Sequence, residues 1–157
     1  MNSIAVREAS GADIAGMFQV RTSVTENSIS AERLERMGVT PASGTGSFEQ
    51  GVKGWVAEQR CQITAFSIAH QPSASIFALF VLPDYENRGL GRRLLGAASE
   101  WLWNNGADLV WLTTQPNTRA ARVYERFGWT CSGLEANGEL RFERRRLKRS
   151  PSAIGIA

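Results

Sequence analysis

Residues 77–106 read FALFVLPDYENRGLGRRLLGAASEWLWNNG, and the character of this stretch changes twice. An apolar run ends at Pro83, a polar turn follows, and from Leu90 onward the apolar residues Leu90, Leu94, Ala97, Ala98, Trp101 and Leu102 recur at helical spacing. The order is strand, turn, helix. Arg88, Gly89, Leu90 and Gly91 stand at the helix entrance, where unpaired backbone N–H groups and the positive end of the helix dipole favour an anion. Two glycines let a phosphate approach the backbone closely, and Arg88, Arg92 and Arg93 add positive charge at the same end. No G-K-[ST] follows, which argues against a nucleoside-triphosphate loop. Taken alone, the glycines also fit a tight turn with no ligand.

The next stretch, residues 108–129, reads DLVWLTTQPNTRAARVYERFGW. It predicts a strand over 108–114, a helix with Asn117 as N-cap and Ala120, Tyr124 and Phe127 on one face, and Gly128 as its terminator. Together, ENRGLGRRLL and NTRAARVYERFGW, with about 26 residues from Gly91 to Asn117, resemble the two central motifs of the Gcn5-related N-acetyltransferase superfamily. Those motifs run approximately [QR]-x-x-G-x-[GA] and N-x-x-A-x-x-x-Y-x-x-x-G-[FW]. The likeness covers residues 75–130. It departs at Glu86, which stands where Gln or Arg is usual, so one side-chain contact near the phosphates changes while the backbone cradle does not.

The resemblance implies a single α/β domain over residues 1–147 with a flexible tail over 148–157. Its sheet is expected to be mixed and twisted, with about six or seven strands, splayed at the centre and flanked by helices on both faces. It implies acetyl-CoA as acyl donor, with the pyrophosphate on the backbone amides from Arg88 to Arg92 and the pantetheine arm along Leu79, Phe80 and Val81. Those strand positions suit it, because unpaired backbone groups beside a splay match the peptide-like amides of pantetheine. A primary amine would attack the thioester directly, with a backbone N–H near Val81 stabilising the oxyanion. Tyr124 is the implied general acid toward the departing thiolate, and Asn117 a CoA contact. Tyrosine and thiol have reference pKa values of about 10 and 8.5, so that proton transfer is only weakly driven.

No direct general base is readable. Residues 75–82 carry no carboxylate, and residues 109–114 offer only Thr113 and Thr114. Glu58, Glu26 and His70 are candidates, as is a water chain. Arg21, Glu26 and Trp111 are the candidate substrate-side residues; Phe48, Trp55 and Trp129 fit either an acceptor pocket or core packing.

Outward from these motifs, residues 4–7 read as a short strand, and Ser10 with Asp13 as a capping box. It opens a helix whose stripe is Ile14, Met17, Phe18 and Arg21. Arg21 either snorkels to water or holds a substrate carboxylate. A second short helical pattern covers residues 28–38, and residues 40–54 are loop-rich, with Gly44, Gly46, Gly51 and Gly54. Residues 55–59 and 62–69 form a hairpin turning at Arg60 and Cys61, residues 76–82 a third strand, and residues 138–147 the last.

The 157 residues, 43% hydrophobic and 21% charged, suffice for one domain with a full core and exclude disorder. No apolar run nears the roughly 20 residues of a membrane span, and no secretory signal is visible, so a cytoplasmic protein is expected. Cys61 and Cys131 lack metal-ligand spacing and His70 is the single histidine, so no metal site is expected and both cysteines read as reduced core thiols. The net charge of +3 falls to −2 without Arg144, Arg145, Arg146, Lys148 and Arg149. The basicity thus reads as a tail, and nucleic acid is not the expected partner.

The leading reading is an acetyl-CoA-dependent N-acetyltransferase acting on a primary amine of a small molecule, with a homodimer compatible. Alternatives are a peptide or protein N-acetyltransferase, and a noncatalytic acyl-CoA-binding module.

Overall fold

A computed structural model describes residues 4–22, 32, 36, 39–40, 47–48 and 50–146. Glu26, the helical pattern at 28–38 apart from two isolated positions, and the tail at 148–157 lie outside the described residues.

Among the described residues, the strands and α-helices in chain order are β1 (Ala5–Glu8), α1 (Ile14–Thr22), β2 (Val39–Thr40), β3 (Ser47–Phe48), β4 (Val52–Gln59), β5 (Gln62–His70), β6 (Ser75–Val81), α2 (Leu90–Asn104), β7 (Leu109–Thr114), α3 (Arg119–Arg126), β8 (Thr130–Leu134) and β9 (Leu140–Arg145). Seven strands form one sheet in the order β1-β4-β5-β6-β7-β9-β8, and β2 and β3 form a separate pair. Every neighbouring pair is antiparallel except β6 and β7.

The β4–β5 hairpin turns where expected, with Arg60 and Cys61 both left-handed at φ 51° and 63°, the conformation of a two-residue type I′ connection. Both cysteines are exposed and free, which corrects their reading as core thiols: Cys61 sits at the turn tip and Cys131 on the edge strand β8, positions that face water whatever the residue's apolarity. The predicted loop-rich stretch is shorter than expected, because β4 begins at Val52. Strand β8 was absent from the sequence reading; its TCSGL is exposed throughout and carries no inward alternation.

The sheet buries a core on each face. On one, α2 contributes Leu90, Leu94, Leu95, Ala98 and Leu102, packed with Trp55, Ala65, Ile76, Leu112, Tyr124, Trp129 and Phe142. On the other, Ile14, Met17 and Val20 of α1 pack with Val56, Phe66, Ile68, Ala78 and Phe80. Trp55 and Trp129 are thus core residues, and Phe48 packs against the α1-side cluster. The β5–β6 register skips Phe77, since Ile68 pairs with Ala78 but Ala69 with Ile76. This bulge shifts the alternation by one. Leu79 and Val81 consequently join Ile76 on the α2 side, while Ala78 and Phe80 face α1.

Part of the C-terminal basic run belongs to the fold. Arg144 and Arg145 end β9, the Arg144 guanidinium lies over the Trp103 ring, and the Arg146 amide donates to Asp108 O at 2.8 Å. The reading of all five basic residues as a tail is corrected to that extent.

Two helix starts carry testable capping. The Asp13 carboxylate accepts from the Ser10 amide at 2.8 Å, completing the expected box, and takes both terminal nitrogens of Arg7 at 2.8 and 2.9 Å. Arg7 also donates to Glu58, which ties that candidate base into a structural ion pair. At α3 the N-cap is Thr118, not Asn117: Thr118 Oγ1 accepts from the Ala121 amide at 3.3 Å, while Asn117 is left-handed at φ 61°. A left-handed residue lies outside the extended region an N-cap occupies, so the helix starts one residue later.

Hydrogen bonding from Arg7 holds the Asp13 carboxyl below its ordinary range. Its contribution is therefore complete above the unfolded value of about 3.9 and is lost as pH falls through the lower folded value. Asp13→Asn is expected to cost about 1–2 kcal/mol at pH 7 by denaturant titration, with the gap to wild type closing as pH falls below the unfolded carboxyl's value of about 3.9; a gap independent of pH would remove the charge from the account. Thr118→Ala should cost about 1 kcal/mol, and Asn117→Gly, which preserves the left-handed turn, should stay within about 0.5 kcal/mol. The reverse ranking in thermal unfolding would return the cap to Asn117.

Candidate active site

The two parallel strands at the middle of the sheet meet at one register pair, Ser75 with Trp111, supported by a bond from the Trp111 amide to Ala74 O at 3.2 Å. Beyond that point β6 and β7 part. The Leu82 amide donates to Thr64 O at 2.9 Å, which fixes the phase of the β5–β6 ladder. By antiparallel alternation Phe80 and Ala78 turn their backbone groups to β5, and Leu79 and Val81 turn theirs toward the opening. Of the three strand residues expected to meet a ligand, two therefore present amides to the gap. Phe80 pairs inward, and its ring packs on Phe66 at 5.4 Å between centroids.

The opening is a cleft of about 450 Å³ whose walls are β6, the entrance of α2 and the face of α3. Gly89 caps α2 in a left-handed conformation, φ 78°, and the first helical bond runs from the Arg93 amide to Gly89 O at 3.1 Å. The amides of Leu90, Gly91 and Arg92 are left outside the helical ladder. A Cβ built at Gly91 meets nothing within 4 Å, so this turn is not glycine because the protein crowds it. The missing side chain instead leaves open space against the N–H groups, the geometry an anion needs.

Arg92 lines the cleft with its guanidinium over Phe127 at 5.7 Å. Arg88 is exposed just outside it, stacked on Tyr85 at 5.0 Å. Glu86, the departure from the motif, forms an ion pair with Arg119, which also donates to Asn87 Oδ1. The acidic side chain at the cradle is thus matched by a cation from the first turn of α3. Sequence reading passed over Arg119 and Asn87; the signal available was the unusual Glu86, whose charge asks for a partner.

Tyr124 lies on the cleft wall and is 6% exposed, with its ring against Phe142 at 5.6 Å and Trp129 at 6.3 Å. Burial pushes its phenol well above the usual tyrosine value. It stays protonated at neutral pH as a hydrogen-bond donor and a weak acid.

The remaining candidates sit elsewhere. Asn117 is exposed before α3 and is not among the cleft-lining residues. Trp111 marks the closed end of the splay, on the sheet face away from α2, with the Arg141 guanidinium over its ring at 4.3 Å. Arg21 is half-buried on α1 and stacks on Phe18 at 5.6 Å. Among the described residues no group of three or more His, Cys, Asp or Glu could hold a metal, and no helix is long and apolar enough to cross a membrane.

Known proteins are similar to this chain in sequence and in fold. The "[Ribosomal protein bS18]-alanine N-acetyltransferase" of Escherichia coli K12 is 32% identical over 82 residues, 50% of this chain and 55% of that protein. The chain spans about half the length of the curated relatives it matches. Among solved structures, the ribosomal-protein-S18-alanine N-acetyltransferase from Escherichia coli superposes with a TM-score of 0.71 at 16% identity, covering 95% of this chain and 97% of that one. The PaiA N-acetyltransferase from Thermoplasma acidophilum in complex with coenzyme A gives 0.67 at 13% identity, covering 92% and 99%. At these identities the structures speak for the fold, which is the expected centrally splayed α/β domain. The model of the acetyltransferase (GNAT) family matches residues 45–129, the hairpin, the glycine turn and both helices that wall the cleft. That is over half of the sequence, and the chain belongs to this family.

Proposed function

We propose that this protein is an acetyl-CoA-dependent N-acetyltransferase that moves the acetyl group directly to a primary amine. The observation that carries the reading is the pairing of two unfilled backbone surfaces in one cleft: the outward amides of Leu79 and Val81 and the open amides at Gly91. A ligand with a diphosphate at one end and an amide-bearing arm suits both at once. Mere anion binding would not call for the strand edge.

In this reading the α2 amides and Arg92 take the diphosphate, and the Glu86–Arg119 pair keeps the nearby carboxylate neutralised. Leu79 and Val81 hold the arm by strand-like hydrogen bonds. The amine lone pair forms the new C–N bond, the Val81 N–H donates to the oxygen that becomes negative, the C–S bond breaks, and the nitrogen releases its surplus proton to water, from which Tyr124 is reprotonated after the transfer described next. Tyr124 donates a hydrogen bond and then a proton to the departing sulfur. Because burial makes this phenol a weak acid, its contribution is modest. The soluble acceptor is read as a small amine, with peptide N-termini as the alternative that the bS18-alanine enzymes suggest.

Calorimetric titration with acetyl-CoA, followed by thiol release across amines, polyamines, amino acids and short alanine-terminated peptides, tests this. Binding followed by turnover with one amine class is the expected result, and a dominant peptide signal would replace the small-molecule acceptor. Binding with no turnover on any amine would leave an acyl-CoA-binding module. Gly91→Leu should lower affinity for acetyl-CoA at least about 100-fold, roughly 2.7 kcal/mol, with an unchanged unfolding midpoint. Retained affinity would remove the cradle. Tyr124→Phe should lower kcat by about tenfold with little change in the KM for acetyl-CoA, whereas an unaltered kcat would take Tyr124 out of the reaction.

A further inference from the structure

The turn that carries the chain into α2 has little of its own to hold it. Residues 86–89 are all exposed. Among the described residues, Asn87, Arg88 and Gly89 donate no backbone-to-backbone hydrogen bond, and the bond just before them, from the Glu86 amide to Pro83 O, is long at 3.4 Å. Two of the four are left-handed, Asn87 at φ 64° and Gly89 at φ 78°. Asparagine tolerates that conformation without preferring it, so the direction of the chain here needs a tie from outside. The amides of Leu90, Gly91 and Arg92 must nevertheless leave this turn at a fixed angle if they are to meet one anion together.

Arg119 supplies the tie. It is the first residue of α3, and its guanidinium donates through Nη1 to Glu86 Oε2 and through Nη2 to Asn87 Oδ1. Two donors in one rigid plane thus reach two successive residues of the turn, which fixes its orientation as well as its distance. Stability does not account for the contact. The Arg119 and Glu86 side chains are 41% and 39% exposed, and an ion pair so open to water adds little. A cation in the first turn of a helix also opposes the helix dipole. Neutralising Glu86 would need only a positive charge nearby, whereas the fork also reaches Asn87, a neutral group that calls for no counter-charge.

We propose that Arg119 is a positioning residue for the acyl donor: by gripping Glu86 and Asn87 it sets the angle at which the α2 amides face the diphosphate. This rests on the acetyl-CoA reading above and goes beyond compensation of charge. Glu86 then stands in the glycine motif as the acceptor for one arm of the fork, and Asn87 as the acceptor for the other. A purely electrostatic role has the opposite sign. If the carboxylate acted only as a charge beside an anion site, or if Arg119 left it to take a phosphate, removing the carboxylate would tighten binding. As the acceptor of the fork, its removal loosens binding.

Calorimetric titration of the full chain with acetyl-CoA at one ionic strength separates the two, with thermal unfolding measured on every variant. Arg119→Lys keeps the charge and loses the fork; its Kd should rise about tenfold while its unfolding midpoint stays at the wild-type value. Glu86→Ala should weaken binding to a similar extent, whereas Glu86→Gln, which keeps an acceptor oxygen, should bind within about twofold of wild type. Arg119→Lys combined with Glu86→Ala should lose no more than the weaker-binding single variant, because both changes break one contact. Wild-type affinity in Arg119→Lys, tighter binding in Glu86→Ala, or additive losses in the double variant would overturn the positioning role and leave the acetyltransferase reading intact. A wild type that does not bind acetyl-CoA would take both away.

Discussion

Pairing between the two parallel strands fails after one residue, and the rest of this molecule is arranged around that failure. A parallel pair inside a sheet normally satisfies every backbone group along its length. Here β6 and β7 meet at Ser75 and Trp111 and then separate, which leaves a run of amides on β6 directed into a cleft. Such an edge is costly unless something occupies it, and the surrounding elements keep it open to a ligand and closed to another strand. On one side α2 packs Leu90, Leu94 and Ala98 into the sheet; on the other, the bulge at Phe77 shifts the side-chain alternation, so Leu79 and Val81 turn to the cleft side while Phe80 is committed to the α1 core.

The electrostatics follow from the same opening. The helix that begins beside the gap directs its free N–H groups across it, and its second residue is a glycine with empty space where a side chain would stand. Arg92 adds a cation whose guanidinium is held over Phe127. An acidic residue at the rim would work against an anion by an amount that grows as water is excluded. Glu86 is compensated by Arg119 of α3, and the pair ties the turn before α2 to the first turn of α3.

What the sequence made legible divides along physical lines. Helix periodicity, the hairpin turn, the glycine turn and the terminating Gly128 depend on neighbours a few residues apart, and the structure has them where the pattern puts them. The splay was readable through resemblance to a family and not through periodicity, because strand separation has no local signature. The phase of β6 was not readable: the skipped register at Phe77 arises from how β5 and β6 meet, so the inward backbone of Phe80 could not be told from the outward ones of Leu79 and Val81. Asn117 and Thr118 are both good capping residues, and the left-handed turn at Asn117 decided between them. Cys61 and Cys131 read as core by type but occupy a turn and an edge.

The two faces of the sheet answer different demands, and the matched segment reflects it. Residues 45–129 hold the hairpin, the glycine turn and the second helix motif, the parts that must present fixed backbone groups to one invariant ligand, and backbone presentation tolerates wide variation in side chains. That is why the fold superposes on structures only 13–16% identical. The opposite face carries Trp111 and the Arg141 ion pairs. There the exposed groups are side chains, and the backbone of β7 is taken up by β9. A splay sealed at its apex by one strand pair keeps the two apart: the sealing pair, Ser75 with Trp111, sets where the opening begins, and the free backbone groups lie beyond it, along Leu79 and Val81 toward the entrance of α2.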